Sequence, residues 1–468
     1  MRGSRILLLA SILCLGASVE TAYRVREQIG VGPFGWRLFG GRFYGPSYDF
    51  EETDTRELAA GMPVAIENAF GDVEVTAGGS DEVEVTLRKL VYLGSEEKAR
   101  AFAQRVRLEA QVVEGRLRIA TNRAELERES DAFDVGFETH LKVRVPPGAA
   151  VAVKGSHGRA DVEGAGETRI ENDFGDVRVS RVAELDIDSG HGTVEVLNAA
   201  AGVTAKVRFG DTSIRDAAGS VRLTSEHGEV SVERTGALSV EAKHGSVKAE
   251  SVRGDLDVTA EHSAVTAGRV EGAARIATTF EDVSLEDVGG DARVRVEHGQ
   301  AKCLRIKGAL VAETSFGDAE LDDVSGLVEV SVSHGGLRGA RLRGGVKARA
   351  EGDDVVLDGF RGDVTAEAVR GSVKLVPEGA LTTNVKASAS FGGVDLRVPD
   401  GSRFALVAGV DRGELDVVVP GLQLTEASDE RVNGRLGEGG GTVELQADHG
   451  SIRVGREERD LDKDAPSE

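Results

Sequence analysis

The chain has 468 residues, 57 Lys plus Arg against 80 Asp plus Glu, and a formal net charge of −23. Its 40% hydrophobic content supplies a large core and excludes wholesale disorder, while the charge opposes phosphate backbones and anionic lipid heads, so no nucleic-acid partner is expected. Aromatic residues reach only 4% whereas Gly numbers 61, about twice its usual share of roughly 7%, so small and β-branched side chains must build the interior.

Arg2 and Arg5 precede the apolar run Ile6 to Ala17, the pattern of an export signal or, if uncleaved, of an N-terminal anchor. Residues 1–22 are read that way, which places the protein in the periplasm, cell envelope or cell surface. Cys14 follows Ser11-Ile12-Leu13, a poor lipidation box. Only Cys14 and Cys303 occur, so a disulfide framework is excluded. Residues 23–60 read as an aromatic, Gly-rich linker: Phe34, Trp36, Phe39, Phe43, Tyr44, Tyr48 and Phe50 crowd together with Arg37 and Arg42. Such a stretch suits either a membrane interface or packing on the first domain, and it is the one route to a membrane.

Residues 61–150 read as a β-rich cap. Val73-Glu74-Val75 and Val83 to Leu87 alternate with the strand period, and Ser95 followed by Glu96 and Glu97 predicts an N-capped helix over 95–111.

From residue 151 to 400 one dipeptide recurs, Phe or His followed almost always by Gly. Its anchors are His157, Phe174, His191, Phe209, His227, His244, His262, Phe280, His298, Phe316 and His334, every step being 17 or 18 residues. Eight of the nine histidines, His449 included, stand at such a position. Between anchors the apolar residues step by two, as in Val283, Leu285, Val288, Gly290, Ala292, Val294 and Val296, with two steps of three that mark corners. A unit with one buried face cannot stand alone, but stacked units bury a continuous core. The prediction is an all-β fold, a single-stranded parallel β-helix or β-solenoid with 17–18 residue repeats and one short N-terminal helix. Anchor type has a longer period of 34–36, so one coil is either about 18 or about 35 residues. Residues 401–455 read as C-terminal repeats and a cap, and 456–468 as a charged, disordered tail.

The order of these parts resembles a bacterial "putative adhesin" family of β-strand-repeat envelope proteins, a domain of unknown function grouped with toast-rack-like domains. The resemblance rests on Val64 to Val75, the Ser95 helix, Leu141 to Pro147, the G-D-V repeat at Gly175-Asp176-Val177 and the closing Gly-rich segment with its last strand. It covers about Gly61 to Val454. It implies a right-handed solenoid at the cell envelope and supplies no catalytic residues.

Two constellations tempt a chemical reading. By parity the rings face inward, each filling one core slot, and His227, His244 and His262 from successive units are the metal candidates. The plainer reading is a structural histidine whose ring nitrogen is satisfied by a neighbour such as Ser225. The paired acids Asp322-Asp323 and Asp353-Asp354 could belong to a polysaccharide-acting enzyme, yet adjacent acids in a strand face opposite sides. Phosphate-loop, H-E-x-x-H, C-x-x-C and calcium-repeat motifs are absent, so no catalytic residue and no cofactor is expected. The leading expectation is a non-enzymatic exported scaffold or adhesin-like binding surface for an envelope protein or glycan. The rivals are an envelope-stress sensor docking a membrane partner and a polysaccharide-acting enzyme.

Overall fold

The computed structural model describes residues 46–79, 81–129 and 135–456; the export-signal reading, most of the aromatic linker and the charged tail lie outside them. It is nearly all β, with 66% in strands, a β-solenoid of about 14 turns with two short helices. By contacts the chain divides into two compact units, Met1–Asp161 and Val162–Glu468.

In the second unit each coil contributes two short strands to two parallel sheets. Ala274–Phe280 pairs with Ala292–His298, Ala274 opposite Ala292, while Val283–Val288 pairs with Ala301–Ile306, Val283 opposite Ala301. One coil is therefore about 18 residues, and the longer period of anchor type spans two coils. Val, Leu, Ile and Ala alternate inward from both sheets and are almost wholly buried, among them Ile276, Val283, Leu285 and Val294.

Three corners close each coil, and each solves a backbone problem differently. At the anchor corner the Gly adopts a positive φ, from 126° at Gly175 to 153° at Gly335, and a Cβ there would run into the carbonyl of the coil below, as at Gly192 against Gly175. The second corner, the three-residue step after V-x-V, uses ordinary residues in the left-handed region: Arg181 (53°), Asp287 (57°) and Arg305 (54°). That conformation costs an L-residue roughly 1–2 kcal/mol, and it turns the following Val182, Val288 or Ile306 back into the core. The third corner stacks Gly290 on Gly272 and Gly308 on Gly290, again with no room for a side chain.

The acids beside these corners explain the G-D-V motif. Asp176 Oδ1 accepts the Thr193 N–H one coil on at 3.0 Å, and Asp211, Asp282 and Asp318 do the same for Glu229, Gln300 and Gly336 at 2.8–2.9 Å. In all four cases the Asp belongs to a Phe coil and the amide to the next His coil. At the third corner Asp255 and Asp291 hold the Ala273 and Ala309 amides at 2.9 and 2.8 Å. These carboxylates satisfy amides at turns where the sheet ladder is interrupted.

The C-terminal end departs from chain order. Val385–Ala389 pairs with Gly441–His449, whose other edge takes Phe404–Arg412, so the last coil in sequence lies between two earlier ones. Antiparallel Arg431–Leu436 and Leu422–Ala427 then cover the edge that stacked parallel strands leave open.

The first described element is a strand where a linker was expected: Ser47–Glu57 pairs antiparallel with Glu82–Tyr92. Tyr48 and Phe50 pack against the buried cluster of Val91, Ala99, Phe102 and Phe137, which accounts for two of the crowded aromatics. The first helix, α1, covers Glu96–Ala103, with Ser95 accepting from Lys98 N as its cap. It stops eight residues short of the expected 111 because Leu108–Val113 forms a hairpin with Arg116–Thr121 through Glu114 and Gly115, both at positive φ. The buried Lys89 ammonium donates to the carbonyls of Ala103 and Val106, a cation against the helix C-terminus. A second helix, α2 (Arg123–Leu126), was not foreseen.

Candidate functional site

The repeat rings form one feature, but on the opposite side of the wall from that expected. Phe174, Phe209, Phe280 and Phe316 are 40–48% exposed, and His227, His244 and His262 are exposed as well. Parity failed at the corner: the last inward residue is two before the ring, Ser225 or Thr278 for example, and the next is Val230 or Val283. The Ser225 hydroxyl is accordingly buried without a hydrogen-bond partner and does not serve His227.

Along the second unit ten rings from Phe174 to His334 stack coil upon coil, with centroids 4.4–5.2 Å apart. Most pairs lie within 10–21° of parallel; His227 with His244 and His244 with His262 open to 27° and 34°. Phe70 with His157 in the first unit (4.5 Å) and Phe391 with His449 (5.2 Å) repeat the arrangement. Ring faces are thus covered by neighbouring rings, and the edges, the electropositive part of an aromatic, look outward. Lone pairs of stacked imidazoles run parallel, and among the described residues no cluster of three or more His, Cys, Asp or Glu has the arrangement of a metal site.

The paired acids serve the framework. Asp354 accepts the Ser372 N–H at 2.6 Å, Asp353 accepts the Asp354 N–H at 2.8 Å, Asp322 pairs with Arg341, and Asp323 pairs with Arg343 at 2.9 Å. Cys303 is fully buried and free, its thiol pushed up to about 12 by burial, which removes it as a nucleophile.

Sequence reasoning missed His140, the one histidine off the repeat, and that exception was the available signal. Its Nε2 lies 3.4 Å from Glu138 Oε2 and its Nδ1 lies 3.5 Å from Asp72 Oδ2, while the Tyr92 hydroxyl donates to Glu138 at 2.9 Å. Hydrogen bonds that the imidazolium donates to Asp72 and then to Glu138 raise it to about 9, against burial. Asp72 is lowered chiefly by His140; burial would raise Glu138, but the His140 and Tyr92 hydrogen bonds carry it below its ordinary value. A raised base contributes stability fully present below its unfolded value near 6.5 and lost as pH climbs through about 9. Two effects reduce the raw shift: solvent screens the partly exposed ring, and once neutral, Nδ1 accepts the Asp72 N–H at 3.1 Å. The expected loss between pH 6.5 and 9 is about 1–2 kcal/mol. Urea denaturation of the full chain across that range should show it, with His140→Gln flattening the slope; an unchanged slope would refute the assignment.

No protein-family model matches the chain, and no curated protein matches it. Among solved structures, one described as a "putative cell adhesion protein" from Clostridium sporogenes is similar at 8% identity over 88% of this chain and 100% of its own, with a TM-score of 0.15.

Proposed function

We propose that the protein is a non-enzymatic, exported, adhesin-like scaffold of the bacterial cell envelope that presents rows of side chains to an envelope protein or a glycan. The supporting observation is the register of the second unit: partners on both sheets are one coil apart, from Thr168 to Ala389 on one and from Val177 to Leu396 on the other, so outward positions recur as rows at about 4.8 Å. Such rows suit a partner that is itself repetitive, because one weak contact is multiplied along the coils. The covered ring faces direct recognition to the outward rows of the flat sheets, since a sugar ring needs an open aromatic face to stack upon. The acids of the corners hold backbone amides, which gives the non-enzymatic reading its support. Crosslinking in intact cells followed by fractionation tests the proposal. The tagged chain is expected in the envelope fraction, joined to another envelope protein or to polysaccharide. Retention in the cytoplasm, or release of product from a polysaccharide panel, overturns it.

A further inference from the structure

Beyond His334 the row of rings is interrupted, and the interruption leaves an aromatic face open. Val332, Ala350, Ala368, Ala389 and Ala447 pair in succession from coil to coil, and the ring position lies two residues after each: His334, Gly352, Arg370, Phe391 and His449. The backbone ladder continues through these coils, the Glu351, Val369, Phe391 and His449 amides donating to the carbonyls of Val332, Ala350, Val369 and Ser390 at 2.9–3.0 Å. Three coil steps of about 4.8 Å therefore separate the ring positions of His334 and Phe391, a distance over which the rest of the row holds two further rings.

Neither missing ring is replaced in its own layer. A Cβ built on Gly352 would lie 2.7 Å from the Gly335 nitrogen and 2.9 Å from the His334 Cα, so that layer carries no side chain of its own. Arg370 leans into it instead: its Nε donates to the Glu351 carbonyl, one coil below, at 3.1 Å. Among the described residues Phe391 consequently has one ring neighbour, His449 at 5.2 Å, and it is 62% exposed. Phe209, Phe280 and Phe316, each stacked on both faces, are 40–48% exposed. The difference is the face of Phe391 turned toward Arg370. Hydrogen-bonding groups of both kinds flank it. The Arg370 guanidinium makes no ion pair among the described residues, which leaves its Nη groups free to donate. In the coil of Gly352, Asp353 and Asp354 each spend one carboxylate oxygen on a backbone amide and keep the other. An aromatic side chain entering the gap would use neither the donor nor the acceptors, and an anionic ring would meet the two carboxylates. A neutral pyranose uses all of them: its C–H face stacks on the ring, and its hydroxyls accept from the guanidinium and donate to the carboxylates.

We propose that the gap between Phe391 and the leaning Arg370 is a subsite for one neutral pyranose ring of a glycan, stacked on Phe391 and hydrogen-bonded by Arg370. The subsite rests on the glycan arm of the scaffold reading and says where on the rod the sugar sits.

The test titrates the full chain with neutral hexasaccharides built on glucose, mannose, galactose and N-acetylglucosamine, by calorimetry and saturation-transfer NMR. At least one is expected to bind, with saturation passing from aromatic protons to the pyranose C–H groups. Phe391→Ala should weaken that binding by about tenfold or more, and Arg370→Ala several-fold. Arg370→Phe rebuilds a Phe-Gly anchor, Gly371 being already in place, so it should close the gap and abolish binding without loss of thermal stability. Phe316→Ala, in the covered part of the row, should leave affinity unchanged. Circular dichroism confirms that each variant keeps the solenoid. Binding that survives both Phe391→Ala and Arg370→Phe overturns the subsite while leaving the glycan reading in place. A parent chain that binds none of the hexasaccharides overturns it as well, as does tighter binding of N-acetyltryptophanamide than of any sugar, which would make the occupant an aromatic side chain. Cell fractionation judges the scaffold reading separately, and its failure alters none of these readouts.

Discussion

Replacing Gly210 by Val is expected to lower stability by about 3–5 kcal/mol and to break unfolding of the second unit into two transitions. Gly210 has φ 144°, a region closed to residues with a Cβ, and a Cβ built there collides with the carbonyl oxygen of Gly192 on the coil below. Neither backbone can give way cheaply. Gly192 N–H donates to Phe209 and Gly210 N–H donates to His227, both at 2.9 Å, so a shift at one corner drags the hydrogen bonds of two coils. Strain and overpacking therefore add. A solenoid is quasi-one-dimensional, each coil touching its neighbours, so an opened coil uncouples the coils on either side. Gly379, with open space around its missing Cβ, is the control: Gly379→Ala should change stability by less than about 0.5 kcal/mol. Urea denaturation followed by circular dichroism measures both. A Gly210→Val chain within 1 kcal/mol of its parent would mean that the corner is not the constraint described.

Much of the architecture was legible because it is written as repetition. The 17 or 18 residue step, the two-residue alternation and the three-residue steps located coil, strand and corner. What periodicity could not convey was the direction a side chain takes at a bend. Thr278 and Phe280 stand two positions apart, and strand parity makes both inward; the corner begins between them, and Phe280 turns out. The chain also hides which corners require Gly. Arg181, Asp287 and Arg305 adopt left-handed backbone with no compositional mark, because the adjoining coils fix their φ. Alternation of Phe and His was visible while its partner was not: the Phe coil carries the Asp that holds an amide of the His coil above, a relation between residues 17 or 18 apart. The cap at Ser95 marks where the helix starts but carries no signal for its end, which is set by the strand that begins at Leu108. Insertion of the final coil between two earlier ones is a long-range pairing that no local signal encodes. The charge of −23 gains meaning as well, since a share of the acids is engaged in holding backbone amides at corners.

The outward placement of the rings has a quantitative consequence when two Phe residues, each the last residue of its strand, are compared. Phe174 ends Thr168–Phe174 and is 45% exposed; Phe360 ends Val355–Phe360 and is 1% exposed. Phe360 occupies the inward slot that follows the left-handed corner, here Gly359 at φ 75°, the slot held by Ala217, Val288, Ile306 and Leu342 in earlier coils. Its ring fills space that an Ala cannot, and a close-packed interior walled by hydrogen-bonded strands collapses little around the void. Phe360→Ala should therefore cost about 3–5 kcal/mol. Phe174→Ala loosens the stack on His191 at 4.6 Å and leaves water where a half-exposed ring edge stood, so about 1 kcal/mol is expected. Under the inward reading of the repeat the two substitutions would cost alike. Equal losses by thermal and urea denaturation, or a larger loss for Phe174→Ala, would return the repeat rings to the core; a threefold difference in favour of Phe360 keeps them on the surface, where they stitch coil to coil from outside.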